Sequence, residues 1–219
     1  ACFGVDISPL DTPTALVGLT DCTPLTDARS MLAILSPALT ELTMLGRALL
    51  LWHERHRFCS VCGQPSRARR GGYVRVCEQS NCNTEHFPRT DPCVLVLVTD
   101  GERCLLGRSK GWPKNMYSAL AGFVEPGETL EQAVAREVME EVGVSVTALR
   151  YVGSQPWPFP ASLMVGFIAT ATSTQIRVDE VELEAARWFT RAELQTPTEH
   201  GFWVPPPLSI AGRLIQAFA

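Results

Sequence analysis

The sequence predicts a mixed α/β sandwich, and three features of the 219-residue chain favour this fold class. Apolar runs of strand length alternate with segments whose apolar residues recur at helical spacing, as in layered domains built from both elements. Hydrophobic residues make up 46% of the chain and charged residues 19%, so there is enough apolar surface for a core. The pair Asp100-Gly101 separates two apolar runs, which predicts a β-hairpin within the sheet.

Charge and hydropathy narrow the class of function. The net charge of −4 argues against a global positive field that would attract nucleic acid or an anionic membrane. No apolar run reaches the roughly 18 residues that a transmembrane helix requires. We therefore expect no membrane association. The clustering of the cysteines favours a reducing compartment, with the cytoplasm as the expected location.

Three segments are predicted along the chain. They are an N-terminal segment with a linking helix at 1–57, a small zinc-binding module at 58–90 and a larger α/β domain at 91–219. Residues 1–30 mix proline, threonine and aspartate with short apolar runs, which indicates the remainder of an irregular or β-rich module. From Leu39 to His56 the apolar residues recur with the helical period, so this stretch predicts the linking helix.

Four of the eight cysteines form two closely spaced pairs. Two residues separate Cys59 from Cys62 and four separate Cys77 from Cys82, which matches a tetrahedral four-cysteine zinc site. A closed site of four thiolates would be structural, because it leaves no position open for a substrate. Two alternatives stay open: His86 could replace one sulfur, or the cysteines could be unliganded or disulfide-bonded.

A run of arginines lies between the two cysteine pairs, at Arg67, Arg69, Arg70 and Arg75. Beside a zinc-binding module such a run could form a modest nucleic-acid-binding surface. A solvated charged face is the more frequent explanation of this pattern.

The α/β domain has a clear series of predicted elements. The two runs of the hairpin contain Cys93 and Cys104, whose expected role is that of small buried hydrophobes. The stretch YSALAGFVEPGE predicts a strand that ends in a Pro-Gly turn. The other predicted elements are a helix at 129–142, strands at 148–154, 163–171 and 186–189, a short helix at 191–195 and an amphipathic helix at 208–218.

The helix at 129–142 carries three closely spaced carboxylates, Glu137, Glu140 and Glu141. Thr129 and Gln132 have the spacing of a capping box, which predicts the start of the helix. Gly143 suits the left-handed residue that ends it. The apolar residues form one side of the helix, and the glutamates are expected on another side.

From the residues alone, two interpretations of the glutamates stay open. Magnesium or manganese is the natural counter-charge, because both ions prefer carboxylate oxygens and leave positions for water and phosphates. Such a site suits metal-assisted attack of water on a phosphoanhydride. The alternative is a solvated acidic face on which Arg136 pairs with Glu140 one turn away, and the three glutamates alone favour this alternative.

The whole segment 122–144 resembles the signature of the Nudix hydrolases. The matching positions are Gly122, five residues, Glu128, seven residues, Arg136-Glu137, an apolar residue, any residue, Glu140-Glu141, any residue, Gly143 and an apolar residue. The resemblance implies a Nudix α/β/α sandwich with a mixed sheet, and cleavage of a nucleoside diphosphate linked to another moiety. It implies that Glu137, Glu140 and Glu141 are catalytic and hold Mg2+ or Mn2+, with the backbone carbonyl of Ala121 as a further ligand. Glu128 and Arg136 would brace the loop.

The stretch SQPWPFPASLM at 154–164 predicts a proline-stiffened loop. Trp157 and Phe159 in it could stack on a flat heterocycle or pack in the core, and composition does not decide between these roles. The stretch resembles the array SQPWPFPxSLM of the NADH pyrophosphatase subfamily, which also carries a four-cysteine zinc ribbon before the catalytic domain. This resemblance implies hydrolysis of NADH or NAD+ to AMP and nicotinamide mononucleotide, in a homodimer.

The same resemblance implies a set of substrate and metal contacts. Eight consecutive residues would line the dinucleotide pocket: Gln155, Pro156, Trp157, Pro158, Phe159, Pro160, Ala161 and Ser162. Phe87 and Phe123 would stack on substrate bases, and the backbone of Ala211 would contact the substrate. Glu182 matches a further metal ligand, although Glu184 competes for that role. Ala161 occupies the variable position of the array.

Two other functions compete with hydrolysis of free NAD(H). The same chemistry could remove NAD caps from RNA 5′ ends. A non-catalytic nucleic-acid-binding protein with a zinc ribbon and a Nudix scaffold is the third hypothesis, and the complete set of three glutamates speaks against it.

Overall fold

The computed structural model describes residues 27–219, so most of the segment 1–30 lies outside the described residues. The described chain forms two compact units. One contains the residues up to Thr90 together with Pro158–Ala161, and the other contains Asp91–Trp157 and Ser162–Ala219. Among residues 27–219, no helix has the length and apolar character needed to cross a membrane.

The described part of the first unit contains two α-helices and a small antiparallel sheet. The helices are α1 (Ala28–Met31) and α2 (Pro37–Arg55), and the strands are β1 (Ser66–Arg69), β2 (Val74–Cys77) and β3 (Glu85–His86), in the order β1-β2-β3. The predicted linking helix is confirmed by α2. It begins two residues earlier than expected, since Pro37 in the first turn has the fixed φ that a helix start accepts.

The second unit is built on a mixed sheet. Its elements are β4 (Asp91–Thr99), β5 (Arg103–Ser109), β6 (Leu120–Phe123), α3 (Leu130–Val142), β7 (Val146–Trp157), β8 (Ser162–Ala171), β9 (Leu183–Thr190), α4 (Arg191–Gln195) and α5 (Ile210–Phe218). The strand order is β7-β8-β4-β5-β9, and β6 also pairs with β4. Only β4 and β8 run parallel to each other.

The central strand β4 supplies both layers of the core. Val94 and Val96 lie in the apolar cluster that includes α3, whereas Leu95 and Leu97 lie in the cluster that includes α5. This division follows from the pleat of a strand, which directs successive side chains to opposite faces. A helix therefore covers each face of the sheet, and the predicted α/β/α sandwich is confirmed.

Two local predictions in the sheet are also confirmed. The hairpin between β4 and β5 turns at Gly101, whose φ of +100° suits glycine. Asp100 closes the turn by accepting a hydrogen bond of 2.7 Å from the backbone N–H of Arg103. Cys93 and Cys104 are buried within the strands, as expected of small hydrophobes.

The prediction of a loop throughout 154–164 was wrong. The first part of this stretch belongs to β7, where Gln155 pairs with Met164 and Trp157 pairs with Ser162. Proline within a strand normally removes a ladder hydrogen bond, but β7 is an edge strand and tolerates Pro156 there. Only Pro158–Ala161 connects the two strands.

Candidate active site

Local sequence signals determine where helix α3 begins and ends. The Thr129 hydroxyl accepts a hydrogen bond from the backbone N–H of Gln132, and the Gln132 side chain accepts one from the backbone N–H of Thr129. Both bonds of the predicted capping box are thus present. Gly143 ends the helix with φ +67°, in the left-handed region. The helix therefore presents its carboxylates at predictable positions.

Arg136 ties this helix to the loop that precedes it. Its guanidinium contacts both carboxylate oxygens of Glu128, at 2.7 and 2.9 Å, and donates to the carbonyl oxygen of Phe123 at 2.9 Å. One terminal nitrogen also contacts Glu137 at 2.8 Å and Glu140 at 2.9 Å. The hydrogen bonds from Arg136 lower the pKa of Glu128 to about 2. Arg136 therefore links helix α3 to the loop that contains Glu128.

The three glutamates of α3 are not equivalent. Glu140 is exposed, as the solvated-face interpretation predicts, but Glu137 and Glu141 are only 8% and 5% exposed. The expectation that all three lie on a side apart from the core was therefore wrong for two of them. Gly122 on β6 makes the burial of Glu137 possible, because a Cβ atom there would overlap the carboxylate of Glu137.

The two buried carboxylates lack sufficient neutralising partners. Burial, together with the negative charges of Glu137 and Glu182, raises the pKa of Glu141 to about 8, against the opposing effect of a hydrogen bond with the backbone of Ala121. Burial also raises the pKa of Glu137, against the opposing effect of Arg136. Glu141 Oε2 is buried and has no hydrogen-bond partner among the described residues. Buried carboxylate oxygens of this kind fit a hard divalent cation.

Glu182 and Glu184 occupy different environments. The charge of Glu182 raises the pKa of both Glu137 and Glu141. Glu184 instead forms an ion pair of 2.7 Å with Arg108. The structure therefore couples Glu182, and not Glu184, to the buried carboxylates.

The carboxylates do not converge on one point. Among the residues that the structure describes, only the four cysteines form a group of three or more potential metal ligands whose donor atoms lie close together. Glu137 and Glu140 both contact Arg136. The acidic site thus consists of a buried pair beside β6, with Glu140 and Glu182 at its margin.

The raised pKa of Glu141 predicts a pH dependence of stability. Its pKa in the folded chain, about 8, lies above the ordinary value of 4.5, so the folded state keeps a proton that the unfolded state releases. Between these values the free energy of unfolding of the metal-free protein should fall as pH rises, by up to about 1.4 kcal/mol per pH unit. Urea denaturation from pH 5 to 8 measures this slope, and Glu141→Gln should flatten it. Parallel curves for the two chains would contradict the assigned shift.

The four predicted zinc ligands lie together. The Sγ atoms of Cys59, Cys62, Cys77 and Cys82 are all within 4.8 Å of one another. The distance is 3.7 Å from Cys59 to Cys82 and 3.4 Å from Cys62 to Cys77. Tetrahedral zinc with Zn–S bonds of about 2.3 Å requires sulfur separations of about 3.8 Å. The geometry therefore fits zinc.

Hydrogen bonds in this module reach three of the four ligand sulfurs. The backbone N–H groups of Val61 and Gln79 point to the sulfurs of Cys59 and Cys77, each at 3.4 Å. A hydrogen bond with the Thr84 hydroxyl, 3.0 Å away, lowers the pKa of Cys82 to about 6. His86 is not part of the converging group. The structure thus favours four sulfurs over a set that includes His86.

The eight residues predicted to line the dinucleotide pocket are divided between the two units. Gln155, Pro156 and Trp157 end β7 and Ser162 begins β8, in the second unit. Pro158, Phe159, Pro160 and Ala161 belong to the first unit. The array is therefore the segment of chain that passes from one unit to the other and back.

Two arginines that sequence analysis missed contact this array within the first unit. The guanidinium of Arg29 lies 5.0 Å from the centre of the Phe159 ring, and that of Arg47 lies 4.6 Å from it. Arg47 Nε also donates to the carbonyl oxygen of Pro158 at 2.9 Å. No local motif marks these arginines, because both, on helices α1 and α2, lie more than one hundred residues from the array in sequence.

The other predicted substrate residues differ in exposure. Phe87 in the first unit is 60% exposed and Phe123 in the second unit is 56% exposed, so both rings offer surface for stacking. Ala211 is buried in the first turn of α5. Ala121 lies on β6, next to Gly122.

Comparison with known proteins shows the family. The NUDIX domain model matches residues 89–207, and the model of the NADH pyrophosphatase zinc ribbon domain matches residues 54–87. A crystal structure of a NUDIX hydrolase from Nitrosomonas europaea aligns with 68% of this chain and 97% of that chain, with a TM-score of 0.53 and 23% identity. At this identity, the structural match shows a common fold.

Two curated relatives are closer in sequence. NAD-capped RNA hydrolase NUDT12 of Macaca fascicularis is 50% identical over 182 residues, which cover 78% of this chain and 39% of that protein. NAD(P)H pyrophosphatase NUDT13, mitochondrial, of Homo sapiens is 44% identical over 185 residues, which cover 78% of this chain and 52% of that protein. The chain therefore spans between about two fifths and half of the length of these relatives.

Proposed function

This chain belongs to the NUDIX domain family, and from that premise we propose that it hydrolyses the diphosphate linkage of NAD(H), giving AMP and nicotinamide mononucleotide. The observation that carries the proposal is the buried pair Glu137 and Glu141, in which Glu137 lies against Gly122 and Glu141 Oε2 has no hydrogen-bond partner among the described residues. Such a pair is costly in a folded protein unless a cation neutralises it. The names of the relatives support NAD-containing substrates.

Family membership implies a divalent cation, and the zinc ribbon implies bound zinc. We assign the catalytic cation, Mg2+ or Mn2+, to Glu137, Glu140, Glu141, Glu182 and the backbone carbonyl of Ala121. When bound, it would neutralise diphosphate oxygens and make water a better nucleophile. Zinc belongs to Cys59, Cys62, Cys77 and Cys82 and is structural.

The chain's own residues prepare this site in two ways. Arg136 fastens Glu128 and the carbonyl of Phe123 to α3, so the acidic loop and the helix keep a common geometry. Burial of Glu137 and Glu141 limits competition from bulk water for their oxygens. Position and a low local dielectric are the main contributions that a protein makes to hydrolysis of a phosphoanhydride.

Further features belong to this proposal. Residues 155–162 line the dinucleotide, Phe87 and Phe123 stack on its bases, and the backbone of Ala211 contacts it. The functional protein is a homodimer in the cytoplasm. The segments 1–57, 58–90 and 91–219 are its N-terminal part, zinc ribbon and catalytic domain.

Removal of NAD caps from RNA is the second candidate, supported by the name of the 50% identical relative. One experiment separates the candidates: initial rates of AMP or RNA-end release from NADH, NAD+, ADP-ribose and NAD-capped RNA, each with Mg2+ or Mn2+. We expect NADH or NAD+ to be cleaved to AMP and nicotinamide mononucleotide. Rates on capped RNA that greatly exceed those on free dinucleotide would favour decapping. No cleavage of any NAD-containing substrate by correctly folded, metal-loaded protein would refute the proposed function.

A further inference from the structure

We propose that Gln155 is a positioning residue, which fixes the first turn of α5 to strand β7 and acts on the substrate through that turn. The proposal rests on the proposed function, in which the backbone of Ala211 in this turn contacts the dinucleotide. It changes the role of Gln155 from a direct substrate contact to a support for another contact.

The side-chain amide of Gln155 forms two hydrogen bonds at the start of α5. Its Nε2 donates to the carbonyl oxygen of Leu208 at 3.1 Å, and its Oε1 accepts from the backbone N–H of Ile210 at 2.8 Å. The amide is planar, so these bonds together fix the backbone on both sides of Ser209, which caps the helix. Gln155 therefore satisfies the N–H of the first helical residue, one of the donors that a helix leaves unpaired.

Apolar packing holds the same turn against the sheet. Ile210 is 3% exposed, and its side chain lies over Gly153 and Gly166, which are paired across β7 and β8. A Cβ atom on Gly166 would come within 2.9 Å of Ile210 Cγ1, and one on Gly153 within 3.7 Å of Ile210 Cδ1. The turn thus approaches the sheet more closely than a side chain at position 166 would allow.

These contacts leave the first turn of α5 with little freedom. Ser209 Oγ accepts from the N–H of Gly212 at 3.1 Å, so the N–H groups on both sides of Ala211 have defined acceptors. The orientation of the Ala211 backbone then depends on the hydrogen bond between Gln155 and the N–H of Ile210, and on the packing of the Ile210 side chain against the sheet. A loss of either contact should disturb the same part of the helix.

Two substitutions with different chemistry test this dependence. Gln155→Met keeps the length of the side chain but removes both hydrogen bonds, and Gly166→Ala displaces Ile210 without touching Gln155. Ile210→Val, which shortens the seated side chain by one methyl group, replaces Gly166→Ala if that variant does not fold. The double variant completes a cycle, because residues that act through one element give non-additive effects.

Hydrogen exchange and kinetics are measured together. In substrate-free protein, Gln155→Met should speed exchange of the Ile210–Gly212 amides by about tenfold, the effect of losing one hydrogen bond. KM for NADH should rise by about tenfold in each single variant, and kcat should change less. In the double variant, the increase in KM should be smaller than the product of the two single increases. Unchanged exchange with a raised KM would make Gln155 a direct ligand and overturn the proposal. Faster exchange without a kinetic effect, or fully multiplicative effects on KM, would overturn it as well.

The failure of this proposal differs from the failure of the proposed function. If the unmodified chain cleaves no dinucleotide, the proposed function fails, whereas the exchange measurement still reports whether Gln155 holds α5. If the unmodified chain is active, the exchange measurement and the kinetic cycle together decide whether that contact serves the substrate.

Discussion

The Glu141→Gln variant is expected to fold normally and to hydrolyse NADH about 10²–10³ times more slowly than the unmodified chain. Glutamine has the shape of the carboxyl group but carries no charge, so it cannot neutralise a cation. Glu141 is suited to this test because it is 5% exposed, has an unpartnered Oε2 and lies beside Glu137. Steady-state rates at saturating Mg2+ or Mn2+ measure the effect on kcat.

The fold of this variant should survive for a related reason. With a pKa of about 8, Glu141 is mainly protonated at pH 7 in the metal-free protein, and glutamine resembles that neutral form. The melting temperature of the metal-free variant should therefore be equal to or higher than that of the unmodified chain. Glu131→Gln, on an exposed position of the same helix, is the matched control and should retain normal turnover. Near-normal hydrolysis by Glu141→Gln would remove Glu141 from the catalytic site.

Loss of zinc should unfold the module at 58–90 and leave the second unit folded. The three strands of this module have only four, four and two residues, so they bury too little apolar surface to be stable alone. Structural zinc supplies on the order of 10 kcal/mol in modules of this size, because the ligand thiolates come together only in the folded state. Hydrogen exchange before and after treatment with a zinc-selective chelator, in excess Mg2+, measures the effect in each unit.

Cysteine variants provide the controls for this prediction. Cys77→Ala should lower the zinc content well below one ion per chain, whereas Cys104→Ala, at a buried cysteine in β5, should leave it at about one. Full protection of residues 58–90 after zinc has been removed would contradict the structural role of the metal. Loss of zinc from Cys104→Ala would contradict the assignment of the ligands.

Burial of the glutamates shows where sequence analysis of the site reaches its limit. The spacing of Glu137, Glu140 and Glu141 predicts an acidic cluster, but taken alone it favours a solvated face and does not predict the burial of two of the carboxylates. The structure distinguishes them because β6 runs beside α3, and Gly122 leaves room for the carboxylate of Glu137. Glycine at position 122 is part of the matching signature, so the sequence did carry a signal for this contact. The reason why glycine is needed there, the carboxylate of Glu137, is visible only in the tertiary structure.

The tertiary structure, and not the local sequence, also decides between Glu182 and Glu184. The two residues are separated by one position at the start of β9, and their local sequence does not separate them. An ion pair with Arg108 from the neighbouring strand β5 engages Glu184. Strand pairing over about 75 residues of sequence determines this partner, and no short-range pattern reports it.

The sequence by itself determined the features that depend on neighbours along the chain. Capping at Thr129 and Gly143 sets the ends of α3, and the spacing of the cysteine pairs predicts the zinc ligands, because both depend on backbone geometry over a few residues. Only the tertiary structure decided which carboxylates are buried, which glutamate is coupled to them and what the amide of Gln155 holds. Those outcomes depend on residues that are distant in sequence and meet only when the sheet is assembled, so local pattern carries no record of them.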